Sequence, residues 1–200
     1  MNYKNSRDAA WQMLIKNRIS SLPVSVHKLC KSEQVKLFTY EEGRALIQRL
    51  GLEEHTVEND AFSIGHRIFY DDTRPATRQR FSVAHELGHI VLHNPTEATV
   101  YNREISPSES PIEREANIFA SRLLAPLCVL HFLNLNSAAE IAEVCSISMT
   151  AAEVRFARLC EVRERDRATR SQKGYGCFLL SPLERKAFEN FKGFIAENRR

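Results

Sequence analysis

Arg80-Phe81-Ser82-Val83-Ala84-His85-Glu86-Leu87-Gly88-His89-Ile90-Val91-Leu92-His93 carries H-E-x-x-H inside a run of helical apolar spacing. On an α-helix each residue turns by about 100°, so His85 and His89 stand about 40° apart on one face, one turn apart in height. Two imidazoles so placed can grip one metal ion. Glu86 lies about 100° round from His85, flanking the pair. Val83, Leu87, Ile90 and Val91 fall on the opposite side, where they can be buried. The stretch therefore predicts one helix with a metal face and a core face.

Two histidines do not complete a catalytic zinc site, which takes three protein ligands and keeps a position open. His93 continues the row, but on an unbroken helix it sits about 12 Å above His85 at roughly 1.5 Å per residue, too far for a shared ion. Glu113-Arg114-Glu115-Ala116-Asn117 supplies a better third ligand. Glu113 and Asn117 are one helical turn apart on a common face, so the carboxylate can reach the metal while the amide orients a ligating histidine. Glu115 points away from that face and is the runner-up ligand. A competing reading of Ser110-Pro111-Ile112-Glu113 is a capping box, with Glu113 returning to the N–H of Ser110. Gly88 lowers helix stability by roughly 1 kcal/mol relative to Ala, which is reasonable where a second backbone must come close.

The expected chemistry follows from this ligand set. Two neutral imidazoles and one carboxylate leave Zn²⁺ net positive, able to acidify a water toward a pKa of roughly 7 and to polarise a carbonyl. Glu86, beside the metal and not on it, is the expected catalytic base, passing a proton from water to a leaving amine.

Outward from this helix, Val35–Tyr40 reads as a strand, followed by an amphipathic helix through Ala45, Leu46 and Leu50 that Gly51 can end. Ala61–Ile64 and Arg67–Tyr70 read as paired strands about Gly65-His66. Asp71-Asp72-Thr73 and Pro75 then prepare the metal helix. At the N-terminus, Ser6 is an expected helix cap.

Downstream, residues 95–110 form a polar loop, Pro111 opens a second strong helix, and Ala125-Pro126 closes it. Short helices follow at 127–133, 138–145 and 150–161, then an Arg-rich polar stretch and a last helix after Ser181-Pro182. The expected organisation is an N-terminal helical segment over 1–34, a catalytic core over 35–133, a helix-turn-helix-like pair over 134–165, and a polar linker with a final helix over 166–200.

A hydrophobic share of 43%, a charged share of 26% and a net charge of +3 fit a globular chain and give no overall basic excess for nucleic acid. No apolar run approaches the roughly 20 residues of a membrane span, and the first residues lack the apolar core of a signal peptide. The five cysteines are scattered without a C-x-x-C pair, so they read as reduced thiols. The expectation is a cytoplasmic protein without membrane attachment.

With Arg80-Phe81-Ser82 leading into His85-Glu86-Leu87-Gly88-His89, and Glu113-Arg114-Glu115-Ala116-Asn117-Ile118-Phe119-Ala120 running on to Leu123-Leu124-Ala125-Pro126, the chain resembles the ImmA/IrrE metallopeptidases. The resemblance covers about residues 35–126. It implies an α+β, zincin-like minimal metalloprotease domain, mostly helical, with a small sheet beside the active-site helix and a further helical part at the C-terminus. It also implies Zn²⁺ held by His85, His89 and Glu113. The implied substrates are cytoplasmic regulators, often helix-turn-helix repressors of mobile elements or stress regulons. Beyond about residue 165 no family pattern is matched.

Two further readings bear on function. Residues 138–159 resemble a helix-turn-helix with its turn at Ser146–Ser148, followed by Arg163, Arg165, Arg167, Arg170 and Lys173. Glu161, Glu164 and Asp166 interrupt that basic run, so DNA contact is disfavoured and a structural or docking role preferred. The alternative to the enzyme is a non-catalytic, metal-binding regulator that docks a protein partner or DNA. Within the enzyme reading, Arg67–Tyr70 could present an edge for an extended substrate, and Tyr70, Tyr101 and His131 are candidate oxyanion donors.

Overall fold

Three phenylalanines at one register position define the sheet. In the computed structural model, which describes residues 3–93, 110–173 and 181–200, β1 (Lys36–Thr39) pairs in parallel with β3 (Arg67–Tyr70), and β2 (Ala61–Ile64) pairs antiparallel with β3, giving the order β1-β3-β2. Phe38 and Phe62 both lie opposite Phe69, and their rings stack on it at centroid separations of 5.4 and 5.2 Å. Because side chains alternate along a strand, the same register places Leu37, Ile68 and Ser63 together on the other face.

Helices cover each face. The aromatic face is closed by α3 (Tyr40–Leu50), where Ile47 joins Phe62, Ile64 and Phe69 in a buried cluster. Gly43 is required there, because a Cβ would stand 2.5 Å from the Phe69 ring. Thr39 starts α3 with a full capping box: its hydroxyl accepts from the Glu42 N–H at 3.1 Å, and its own N–H donates back to the Glu42 carboxylate at 2.9 Å. Gly51 ends α3 at φ 67°. A short helix, α4 (Glu53–Glu58), follows.

The opposite face is covered by α5 (Ala76–His93), which packs on β2 and β3. Before it, the Asp71 carboxylate accepts from the Thr73 N–H at 2.9 Å and hydroxyl at 2.6 Å, forming the turn expected there. Asp60 pairs with Arg74 at 3.1 Å and with Arg78, tying the first turn of α5 to the start of β2. Gly65 turns the β2–β3 hairpin at φ 53°.

The chain divides into two compact units, one of Met1–Ala9 with Ser25–Ala120 and one of Ala10–Val24 with Ser121–Arg200. The first holds the sheet, α2 (Val26–Ser32), α5 and the opening turns of α6 (Pro111–Leu124). The second holds most of α1 (Lys4–Lys16), the end of α6, then α7 (Leu127–Phe132), α8 (Ala138–Cys145), α9 (Met149–Lys173) and α10 (Pro182–Asn198). In that unit Ser146, at φ 50° and ψ 55°, makes the tight turn between α8 and α9. The buried Arg155 donates from Nε at 3.0 Å, and from Nη2, to the Ala125 carbonyl beyond the end of α6. A cation there complements the negative end of the helix dipole.

The mostly helical α+β expectation holds, with four local differences. Ser6 is not a cap, because α1 starts at Lys4 and buries Ser6 within it. The Arg-rich stretch read as a linker continues α9 to Lys173. No Gly or Pro interrupts it, and Ala152, Arg155, Leu159, Val162 and Asp166 recur on one buried stripe. Arg67–Tyr70 is no edge: β3 is the central strand, with its backbone groups shared between two neighbours. Val91 is 37% exposed and does not join Val83, Leu87 and Ile90 in the core. The expected loop at 95–110 lies outside the described residues, apart from Ser110. No helix among the described residues is long and apolar enough to cross a membrane.

Candidate metal centre

Eight consecutive residues of α5, Val83 to Ile90, are buried, so the helix runs inside the first unit rather than along its surface. His85 and His89 turn their Nε2 atoms toward each other at 3.0 Å. The Glu113 carboxylate from α6 meets both, Oε2 to His85 Nε2 at 3.1 Å and Oε1 to His89 Nε2 at 3.2 Å. Burial by itself would raise the Glu113 pKa. The hydrogen bonds and charges of His85 and His89 outweigh it and hold the carboxyl well below the usual range.

These donors fit a metal ion. One ligand atom from each of His85, His89 and Glu113 can be chosen so that all lie within 4.8 Å of one another, and all three residues are buried. Donors bound at about 2.0–2.1 Å in a tetrahedron stand roughly 3.3 Å apart, close to the separations found. The second turn of α6 completes the arrangement: His85 Nδ1 lies 2.9 Å from Asn117 Oδ1. An amide oxygen only accepts, so this contact needs the proton on Nδ1 and leaves the Nε2 lone pair for an ion.

Gly88 lets α5 and α6 come this close. A Cβ there would meet Phe119 Cδ1 at 3.0 Å, Ala116 Cα at 3.2 Å and the Ala116 carbonyl oxygen at 3.3 Å. Glu113 and Asn117 flank that contact on α6.

A family model described as the IrrE N-terminal-like domain, Peptidase M78, matches residues 41–157. The chain belongs to this peptidase family. The match contains α5 and α6 entire, and with them every residue of the buried group. No curated protein and no solved structure matches the chain.

Within this Peptidase M78 chain, the remaining expected residues fall in different places. Glu86 is buried, and its Oε2 accepts a hydrogen bond from the Ser63 hydroxyl at 2.8 Å. Glu115, the runner-up ligand, is not brought to the group. It faces His93 Nε2 at 3.6 Å, His93 lying one turn beyond His89 on α5 and Glu115 about half a turn from Glu113 on α6. His93 stands apart from the three-residue group, as the helical rise requires, and burial followed by the neighbouring His89 holds its pKa below the ordinary imidazole value. Tyr70 ends β3 with its ring edge-on to His27 at 6.4 Å. His131 belongs to the second unit, where Arg163 Nε approaches its Nδ1 at 3.4 Å. Tyr101 lies outside the described residues.

Ser63 was missed by the reading of the motifs. Its signal was present: it is the one polar residue in Ala61-Phe62-Ser63-Ile64, and strand alternation sends it to the face opposite Phe62 and Ile64.

Proposed function

We propose that this chain is a zinc-dependent endopeptidase that hydrolyses a peptide bond in a cytoplasmic regulatory protein. The favoured substrate is a helix-turn-helix repressor or an antitoxin-like partner of a mobile element or stress regulon. The observation that carries the reading is the convergence of His85, His89 and Glu113, with the buried carboxylate of Glu86 beside them. The two Nε2 atoms and the Glu113 carboxylate would hold Zn²⁺. When bound, the ion would supply Lewis-acid polarisation of a carbonyl and acidification of a water.

The protein's own groups do the rest. Asn117 fixes the His85 tautomer. Glu113 supplies one negative charge, so that the site keeps part of the ion's positive charge for the substrate oxygen. Glu86 takes up a proton from water and returns it to the departing amine.

The alternative is a metal-binding regulator that docks a partner without cleaving it. The α8–α9 turn and the exposed Met149, Thr150, Glu153 and Val154 at the start of α9 suit docking. A purely structural zinc site closes with a fourth protein ligand, whereas the group among the described residues has three. That favours the enzyme.

The deciding experiment incubates the zinc-loaded protein with a regulator encoded next to its own gene. Wild type should produce discrete fragments. Glu86→Gln should bind zinc equally and slow cleavage by about 10²–10⁴-fold. Equal cleavage by both proteins would refute the role of Glu86, and salt-dependent DNA binding without cleavage would favour the regulator.

A further inference from the structure

Ser63 and Glu86 meet inside the first unit across two elements, β2 and α5, that the motif alone does not connect. Ser63 is 2% exposed and Glu86 5%. A carboxylate removed from water is unfavourable without a donor, and among the described residues the Ser63 hydroxyl at 2.8 Å from Oε2 is the donor Glu86 has. The other oxygen, Oε1, has no hydrogen-bond partner among the described residues. One end of the carboxylate is therefore tethered to the sheet while the other stays available.

The tether is stiff. Ser63 sits opposite Ile68 of the central strand, its neighbours Phe62 and Ile64 belong to the aromatic cluster on the other face, and Ala61 lies opposite Tyr70. The hydroxyl is thus aimed by strand register, whereas Glu86 alone could turn about its own side-chain bonds.

We propose that Ser63 is a positioning residue for Glu86, holding Oε2 so that Oε1 is presented as the proton acceptor of the hydrolytic site. The assignment rests on the peptidase reading above and adds to it a residue from the sheet. Ser63 is not one of the three grouped residues, and its side-chain hydrogen bond goes to Glu86, so it acts through Glu86.

The test uses the zinc-loaded full chain and acetohydroxamate, a small chelating acid whose proton passes to a base beside the metal. Ser63→Ala should leave zinc affinity, measured by competition with a chromogenic chelator, within about twofold, and weaken acetohydroxamate about tenfold by calorimetry, in the range of orienting groups around metal sites. Ser63→Thr, which keeps a hydroxyl on a β-branched strand residue, should recover most of that loss. Adding Ser63→Ala to Glu86→Gln should cause no further loss, because the group it orients is already gone.

Unchanged acetohydroxamate binding in Ser63→Ala, while Glu86→Gln weakens it, would overturn the Ser63 assignment and leave the peptidase reading intact. An equal loss in the Glu86→Gln background would also overturn it, since Ser63 would then act through the strand alone. A wild-type chain that binds no zinc would overturn both.

Discussion

Gly88 of α5 faces the backbone of Ala116 on α6 with no room for a side chain: a Cβ on residue 88 would stand 3.2 Å from the Ala116 Cα. The Glu113 carboxylate reaches both histidines because the helices approach without a side chain between them. Gly88→Ala sets a helix-propensity gain of about 1 kcal/mol against overpacking that typically costs about 1–3 kcal/mol. Phe119 is fully buried and the Ala116 contact is backbone, so neither yields readily. The expected outcome is a net loss of about 1 kcal/mol by urea denaturation and weaker zinc binding by chelator competition.

The two glutamates of α6 should separate cleanly. Glu113→Ala removes a group that both imidazoles touch, and zinc affinity should fall by about 100-fold or more, given the size of whole-site zinc affinities. Glu115→Ala loses only a partly buried neighbour of His93 and should change zinc affinity by less than about threefold. Chelation of zinc from wild type should lower stability by about 4 kcal/mol if free zinc had stood at a thousand times its Kd, with a much smaller drop in Glu113→Ala.

Asn117 acts on the metal through His85. Asn117→Ala removes the acceptor at 2.9 Å from Nδ1 and frees the ring to change tautomer. Zinc affinity should weaken by about 10–100-fold. Asn117→Asp, which keeps an acceptor, should retain more of it, and chelator competition on the two variants checks the order.

Thiol chemistry offers a test of burial independent of the site. Burial pushes the Cys30 thiol up to about 12, and pushes that of Cys128 up as well. A raised thiol pKa keeps the unreactive protonated form up to higher pH. At pH 8, iodoacetamide should modify Cys160 before Cys30, Cys128 or Cys145, which are buried. Peptide mass spectrometry reads the order, and denaturant should abolish it.

The sequence by itself determined the parts whose geometry is local. Helical phase put His85 and His89 on one face, excluded His93 through the rise per residue, and ranked Glu113 with Asn117 above Glu115. The structure brings together the first set and sends Glu115 to His93. Gly88 was legible as a place of close approach because its helix penalty asked for a reason.

What only the tertiary structure decided depends on long-range packing. Strand alternation showed which side chains share a face, but the order β1-β3-β2, which makes Arg67–Tyr70 central, is set by pairing across the chain. The pairing of Ser63 with Glu86 is decided only when β2 and α5 pack, since the two are 23 residues apart. The polar segment after Glu161 is helical because one buried stripe persists beneath its charges, and a stripe gains stability from burial only when something covers it.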